Sequence, residues 1–430
     1  MSRFEPSGPL RGSLRPPSDK SISHRAALIA AMGEGETEIS DYLDAADTRS
    51  TLAAIEAVGA SLDIWDPGMG GLVVKVHGVG LRGAGPATID VGNAGTLLRL
   101  LPGWLAGQVG ERWILDGDES IRRRPVDRIA VPLREMGARL SAREDRLPPL
   151  EIEGAPLHGI TYEMPIASGQ VKSCLLFAGL LAEQETRVIE PLPSRDHTER
   201  MLAAAGAPIE RDGNAVVVHP LPRLEPGPIA VPADISSAAF FIVAALLVEG
   251  SEVLLHDVGV NPTRTGLLTI LERMGAEIEH EQNFETGGDP AAVLRICSAP
   301  LQATEVGGAE IPLAIDELPL VALAACFAEG TTTIRDAEEL RRKESDRIET
   351  VTAALNALGG KVEPTADGLV IEGTGGLRGG TIDSHGDHRI AMLGAVAGLA
   401  SKEGVEVRGM DAAAVSYPGF ERDLGSLLGG

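Results

Sequence analysis

Residues 8–30 read GPLRGSLRPPSDKSISHRAALIA: an extended stretch, a glycine turn, a second extended stretch, a polar cluster, then an apolar run. The same order returns in residues 78–101, GVGLRGAGPATIDVGNAGTLLRLL, and in 154–179, GAPLHGITYEMPIASGQVKSCLLFAG. It returns again in 220–247, PLPRLEPGPIAVPADISSAAFFIVAALL, in 299–325, APLQATEVGGAEIPLAIDELPLVALAA, and in 373–396, GTGGLRGGTIDSHGDHRIAMLGAV. The polar clusters begin near Asp19, Gly92, Ser168, Asp234, Asp316 and Gly386, spaced 66 to 82 residues apart. A second marker interleaves with the first. It is an amphipathic run closed by Gly and leading into a strand: AIEAVGASLDI, LREMGARLSA, MLAAAGAPIER, LERMGAEIEH and LNALGGKVEP. Glycine just past a periodic apolar stripe stops a helix.

Two markers in near-constant phase make chance likeness between glycine turns a poor account. Each copy reads as polar cluster, helix, strand, helix, strand, strand. Copies of about 70 residues exceed the usual solenoid period of about 20–50, so two globular domains of three units each are expected. The proline-dense segment HPLPRLEPGPIAVPAD marks a crossover, and RGSLRPPSDK is the other strand of a two-strand hinge. Residues 1–18 plus 231–430 are expected to form one domain and 19–230 the other.

The chain has 430 residues, 43% of them hydrophobic but only 3% aromatic, so its cores are aliphatic. Its formal net charge is −24, which argues against nucleic acid as a partner, because binding a phosphate backbone requires a basic face. A cleft can nevertheless carry the opposite sign to the whole. The apolar runs 235–248 and 318–328 are shorter than a membrane span, and MSRFEPSGPLRGSLRPPSDK has no apolar signal core. Cys174, Cys297 and Cys326 are odd in number and widely spaced, so they suggest neither a disulfide framework nor a metal knuckle. A cytoplasmic protein fits these features.

Every polar cluster sits where an extended segment becomes a helix. First-turn N–H groups lack intrahelical partners there, and the helix dipole adds positive potential, so such ends take phosphate or carboxylate. The clusters also carry cations: Lys20 and Arg25 in SDKSISHR, Arg122–Arg124 in GDESIRRRP, Arg195 in SRDHTER, Lys343 and Arg347 in ELRRKESDR, and Arg389 in GDHR. One basic cluster alone usually means a solvated helix face. Several at matching junctions of a repeat point to bidentate capture of anions. A helical reading of ELRRKESDR puts Lys343 and Arg347 on one face beside Glu344 and Asp346. Asp316, Glu317, Glu344, His388 and Lys20 are candidate acid–base groups. Taken singly, His24, His197, His385 and His388 are better read as structural. The phosphate-loop, dinucleotide and HExxH motifs are absent. From the residues alone, the chain reads as a two-domain, six-unit α/β enzyme closing on a pair of small anionic substrates.

PSDKSISHR, GNAGTLLR, GDESIRRRP, SGQVKS, SRDHTER, IDELP, RRKESDR and DHRIAM, in that order, resemble the EPSP synthase family of enolpyruvyl transferases. NPTRTGL and SRDHTE look like its class II branch. The resemblance spans essentially the whole chain. It implies two domains, each of three βαβαββ units arranged as an inside-out α/β barrel or prism, with the active site in the cleft between them. It also implies transfer of the enolpyruvyl group of phosphoenolpyruvate to the 5-hydroxyl of shikimate 3-phosphate. The transfer needs neither metal nor organic cofactor, and the family is usually monomeric.

By the same resemblance, shikimate 3-phosphate is held by Lys20, Ser21, Arg25, Ser168, Gly169, Gln170, Arg195, Asp316 and Lys343. Phosphoenolpyruvate is held by Lys20, Asn93, Gly95, Arg124, Gln170, Arg347 and Arg389. Glu344 acts as acid and base at C3, Asp316 accepts the hydroxyl proton, Lys20 assists, and His388 borders the reacting carbons.

Three positions depart from the pattern. Gly169 stands where the family often has a second serine. Val415-Ser416-Tyr417-Pro418 lacks a lysine that many members carry. Thr96-Leu97-Leu98-Arg99-Leu100 replaces the usual TxxRP, which predicts a shift of the helix that presents Gly95. Gly95 itself, where glyphosate-tolerant members carry alanine, implies sensitivity to that inhibitor. The competing expectations are a sister transferase acting on UDP-N-acetylglucosamine, which needs a reactive loop cysteine, and a non-catalytic anion-binding relative.

Overall fold

A computed structural model describes residues 1–68 and 70–428. The chain divides into two units. The flanking unit comprises Met1–Pro17, Ala233–Glu285 and Pro290–Gly430; the inserted unit comprises Ser18–Pro232 and Thr286–Asp289. The chain passes from one unit to the other at 17/18 and 232/233. The divisions expected from the sequence, 18/19 and 230/231, lie one and two residues from these, and the sequence carries no sign that Thr286–Asp289 belongs with the inserted unit.

Each unit is built on three helices that are apolar nearly all round. In the inserted unit these are α1 (Lys20–Met32), α2 (Gly95–Leu105) and α3 (Gly169–Leu181). In the flanking unit they are α4 (Ile235–Leu247), α5 (Leu318–Phe327) and α6 (His388–Ala400). A helix without a polar face must be enclosed. The sequence of α4, ISSAAFFIVAALL, buries every residue but its last. In the flanking unit the three helices all pack on one another; in the inserted unit α2 packs on both α1 and α3. Small residues permit the close approach: a Cβ on Gly103 of α2 would lie 2.0 Å from the Cys174 carbonyl oxygen of α3.

Sheets cover these helices, three to a unit. In one of them Ala87–Asp90 runs parallel to Arg112–Asp116, which pairs antiparallel with Leu147–Glu153, with Arg139–Arg143 on the far edge. The strand Leu72–Val79 in another sheet begins by alternating buried and half-buried residues, as a strand with one covered face should. Among the described residues, none of the six sheets closes on itself. Helices inside and open sheets outside are the arrangement meant by an inside-out α/β prism.

Five sheets have four strands and the sixth has three. After Gly380–Asp383, α6 and Val405–Arg408, the last copy has no strand pair of its own, and Ser2–Phe4 pairs antiparallel with Val405–Arg408 instead. Two leading strands are exchanged in sequence. Arg11–Leu14, which precedes α1, pairs with Glu252–Gly259 of the flanking unit. Ile229–Ala230, which precedes α4, pairs with Glu34–Tyr42 of the inserted unit. Within the inserted unit the Asp19 N–H donates to the Pro232 carbonyl at 2.7 Å; within the flanking unit the Asp234 N–H donates to the Pro17 carbonyl at 2.8 Å.

Candidate active site

The polar clusters of the repeat fall at the N-terminal ends of the six central helices. Four carry a side-chain cap. Asp19 accepts from the Ile22 N–H, Ser168 from Val171, Asp234 from Ser236 and Asp387 from Arg389. Ala94 and Glu317, at the starts of α2 and α5, make no such cap bond.

In the inserted unit, short contacts link these ends. Arg195 Nη1 donates to Ser21 Oγ at 3.3 Å, and its Cβ lies 3.1 Å from where a Cβ on Gly169 would stand. A serine at that first position of α3 would press on Arg195, so the glycine admits the loop. Gln170 donates to Thr96 Oγ1 at 3.1 Å and accepts from Arg99 at 3.3 Å, joining α3 to α2. Arg124 reaches Asn93 Oδ1 at 3.1 Å and Ser120 Oγ at 3.3 Å, and a Cβ on Gly95 would lie 2.6 Å from its Nη1. Lys20 pairs with Asp47 at 3.1 Å. Thus Lys20, Ser21, Asn93, Gly95, Arg124, Ser168, Gly169, Gln170 and Arg195 all sit at or beside the starts of α1, α2 and α3. Leu100 is fully buried in α2, which begins at Gly95.

Arg25 differs from them. It is 1% exposed and donates to Thr198 Oγ1, Ser173 Oγ and the Ser21 carbonyl, tying α1 to α3 and to the helix His197–Ala204. The arginine run also divides. Arg122 pairs with Asp116 and Arg123 with Glu119 at the surface, while Arg124 alone turns to Asn93.

In the flanking unit the ends are joined through carboxylates. Asp316 Oδ1 accepts from Lys343 at 3.1 Å and lies 3.4 Å from Arg347. Arg347, 1% exposed, donates to Glu344 at 2.6 Å and through Nε to Asp387 at 2.9 Å. Burial alone would lower the Arg347 pKa; the carboxylates of Glu344 and Asp387 outweigh it and raise the pKa above its ordinary value. Burial pushes the Asp387 carboxyl up, and the Arg347 guanidinium more than reverses this. Arg389 donates to the Asp316 carbonyl at 3.0 Å and to Glu317 at 3.3 Å. His388, first residue of α6, is buried and lies 3.9 Å from Asp387.

The ELRRKESDR stretch is not one helix. A 3₁₀ turn covers Glu338–Arg342, Lys343 is extended, and a new helix starts at Arg347, capped by Asp346. Lys343 and Arg347 meet at Asp316 because the chain breaks between them, not because they share a helical face. Arg341 and Arg342 turn instead to Asp346, Glu349 and Glu338. Sequence reasoning missed Asp47 and Asp387, and it took Glu317 only as a candidate acid–base group. These three are the partners of Lys20, Arg347 and Arg389. Their signal was position, since Glu317 and Asp387 begin α5 and α6.

Asp196, His197 and Asp289 are close enough to share a cation. Arg200 already places its guanidinium 3.0 Å from Asp196 and 3.8 Å from Asp289, and His197 Nδ1 is 3.0 Å from Asp289. The arrangement fits a structural pair better than a metal centre. Cys174 and Cys326 are buried; burial raises both thiols, that of Cys326 to about 12, so neither is an activated nucleophile. No helix among the described residues is long and apolar enough to cross a membrane.

Each unit thus presents three apolar helices whose starts carry arginines, lysines and carboxylates beneath three sheets, the two-domain α/β architecture of the enolpyruvyl transferases. The family described as EPSP synthase (3-phosphoshikimate 1-carboxyvinyltransferase) matches residues 4–424, and the chain belongs to it. A 3-phosphoshikimate 1-carboxyvinyltransferase of Gloeobacter violaceus is 50% identical over 422 residues, covering 97% of each chain. That of Alkalilimnicola ehrlichii is 49% identical over 418 residues, covering 96% of this chain and 93% of its own. The solved EPSP synthase of Acinetobacter baumannii superposes with a TM-score of 0.87 at 42% identity, covering 99% of this chain and 97% of that one.

Proposed function

We propose that the chain transfers the enolpyruvyl group of phosphoenolpyruvate to the 5-hydroxyl of shikimate 3-phosphate, releasing phosphate, on the route to aromatic amino acids. It does so as a cytoplasmic monomer without metal or organic cofactor. Family membership over nearly the full length supports the reaction. The observation that carries the reading is the Asp316–Lys343–Arg347–Glu344 cluster, in which two carboxylates suited to proton transfer are held by cations suited to substrate anions.

The chemistry is addition followed by elimination. Glu344 delivers a proton to C3 of phosphoenolpyruvate as the 5-hydroxyl oxygen bonds to C2 and Asp316 accepts the hydroxyl proton. In the tetrahedral adduct the C2–O bond to phosphate then breaks, and Glu344 takes a proton back from C3. Asp316 is suited to its part because Lys343 and Arg347 stabilise its negative charge. Glu344 is bonded to Arg347, so an arriving substrate anion that engages this guanidinium releases the carboxylate, which takes up a proton from solvent and then delivers it to C3. His388 borders the reacting carbons.

Arg347 and Arg389 of the flanking unit and Lys20, Asn93, Gly95, Arg124 and Gln170 of the inserted unit take phosphoenolpyruvate. Lys20, Ser21, Arg25, Ser168, Gly169, Gln170 and Arg195, with Asp316 and Lys343, take shikimate 3-phosphate. The substrates repel each other, so positioning and charge stabilisation supply most of the rate gain.

The test is phosphate release from phosphoenolpyruvate with shikimate 3-phosphate or with UDP-N-acetylglucosamine as acceptor. Release is expected only with shikimate 3-phosphate, and Glu344→Ala and Lys20→Met should abolish it. Release with the nucleotide sugar instead, or with neither, refutes the assignment.

A further inference from the structure

The NPTRTGL stretch holds an arginine that the proposed chemistry leaves unused. Asn261 Oδ1 accepts from the Thr263 N–H at 2.8 Å and the Thr263 hydroxyl at 2.7 Å, and the Arg264 N–H donates to the Asn261 carbonyl at 2.8 Å. This turn directs Arg264 inward, where it is 3% exposed. Its Nη2 donates to Ser236 Oγ at 2.7 Å and to Asp234 Oδ1 at 3.3 Å, at the start of α4. The Ser236 hydroxyl donates to Glu317 Oε1, and the same oxygen accepts from Arg389 Nη1 at 3.3 Å. Ser236 is 5% exposed and Glu317 1%.

We propose that Arg264, Ser236 and Glu317 are positioning residues that set Arg389 for phosphoenolpyruvate. The inference rests on the proposed reaction, in which Arg389 takes that substrate. A buried carboxylate is costly unless its charge and hydrogen-bonding capacity are met. Glu317 meets its charge with Arg389, and its Oε1 accepts from both that guanidinium and the Ser236 hydroxyl. The Ser236 hydroxyl has one proton. Its acceptance from Arg264 turns that proton toward Glu317, so each bond polarises the next. Glu317 occupies one edge of the Arg389 guanidinium, and the Asp316 carbonyl shares Nη1. Fixing one nitrogen orients the planar fork, which is what bidentate capture of a carboxylate or phosphate requires.

The experiment compares Ser236→Ala, Glu317→Gln and Arg264→Lys with the wild-type chain. It measures kcat, KM for each substrate, and Tm. The expected result is a KM for phosphoenolpyruvate raised about 5-fold in Ser236→Ala and about 10-fold in Glu317→Gln, the size set by the net worth of one ordinary hydrogen bond. KM for shikimate 3-phosphate should stay within about 2-fold, and Ser236→Thr, which restores the hydroxyl, should recover most of the loss. Equal changes in both KM values, or loss of kcat in step with loss of folded protein, would show a purely structural role and overturn the proposal. If Glu317→Gln does not fold, Ser236→Ala and Arg264→Lys decide, and wild-type KM values in both overturn it. A wild-type chain that releases no phosphate from this pair refutes the reaction and the inference together. An active wild type with unchanged variants refutes the inference alone.

Discussion

The helix starts of the inserted unit and those of the flanking unit occupy equivalent places in the repeat, yet they are furnished differently. In the inserted unit the contacts of Arg195 and Arg124 include the neutral groups of Ser21, Asn93 and Ser120, Lys20 pairs with Asp47, and Gln170 bridges two helices. In the flanking unit every cation of the cluster faces a carboxylate: Lys343 with Asp316, Arg347 with Glu344 and Asp387, Arg389 with Glu317. An arginine on carboxylates holds those carboxylates in place. One repeated frame thus carries anion-holding groups at its helix starts and adds, in the flanking unit, carboxylates suited to moving protons.

The sharpest way to break this contrast is to remove the proton-transfer group. Glu344→Gln keeps the size of the side chain and a hydrogen bond to Arg347 but cannot exchange the C3 proton. Turnover should fall by about 10²–10⁴, the usual worth of a general acid–base group, with KM for shikimate 3-phosphate little changed. Single-turnover phosphate release measures it, and a loss below about 5-fold would move proton transfer to another group.

Below the helix starts of the inserted unit lies a buried charge cluster that supports the loop carrying Arg195. Lys172 has no exposed side-chain surface and lies 3.0 Å from Glu190 and 2.6 Å from Glu199. Glu190 also accepts from the Ser194 N–H at 3.1 Å and from Arg211 at 2.9 Å. Burial raises the Glu199 carboxyl above its ordinary value, and Lys172 offsets only part of that. Lys172→Met should cost about 3–5 kcal/mol of folding stability by leaving acidic groups buried without their partner. Denaturant unfolding would read this as a lower midpoint. A loss under about 1 kcal/mol would show that Arg211 alone satisfies the site.

Gly95 tests the anion-holding end with a single methyl. The added Cβ would stand 2.6 Å from Arg124 Nη1, at the far end of a side chain that can give way. Gly95→Ala should therefore raise KM for phosphoenolpyruvate by roughly 3- to 10-fold, about 0.6–1.4 kcal/mol. The wild-type chain should be inhibited by glyphosate, with the inhibition constant rising more than KM in the variant. A wild-type inhibition constant far above KM for phosphoenolpyruvate would contradict this.

How much of this was legible in the sequence follows from what each feature depends on. The six-fold repeat was legible because the central helices must be apolar all round and must start at a polar turn, and both properties are local. The helical reading of ELRRKESDR put Lys343 and Arg347 on one face beside Glu344 and Asp346, whereas they meet at Asp316 across a chain break that Asp346 caps. Composition and spacing did not separate Arg124 from Arg122 and Arg123; the family resemblance alone singled it out together with Asn93. Asp47, Asp387 and Glu317 were missed as partners because a buried ion pair joins residues far apart in sequence, here 27, 40 and 72 positions. The exchange of leading strands was half visible, as two proline-marked passages, but its pairing is non-local.

His24 offers a smaller effect that separates the two ends by pH. It lies one turn along α1 from Lys20, fully buried, with Nδ1 2.6 Å from Thr51 Oγ1 and Nε2 without a hydrogen-bond partner. Burial, opposed by Asp47 and aided by Lys20 and Arg25, pulls its pKa down to about 3. Unfolded, the imidazole titrates near 6.5. Above pH 6.5 it is neutral in both states and imposes no pH dependence. As pH falls from 6.5 toward 3, the unfolded chain takes up a proton that the folded chain refuses. Stability is then lost at about 1.4 kcal/mol per pH unit from this group. His24→Gln keeps a hydrogen bond to Thr51 and removes the titration, so the difference in unfolding free energy between wild type and variant should shrink across that window and stay flat above it. Carboxylates that weaken in acid, Asp387 among them, are common to both proteins and cancel in the difference. A difference that is constant from pH 7 to pH 4 would mean that the folded protein accommodates the His24 proton, and that the start of α1 tolerates a further positive charge beside Lys20.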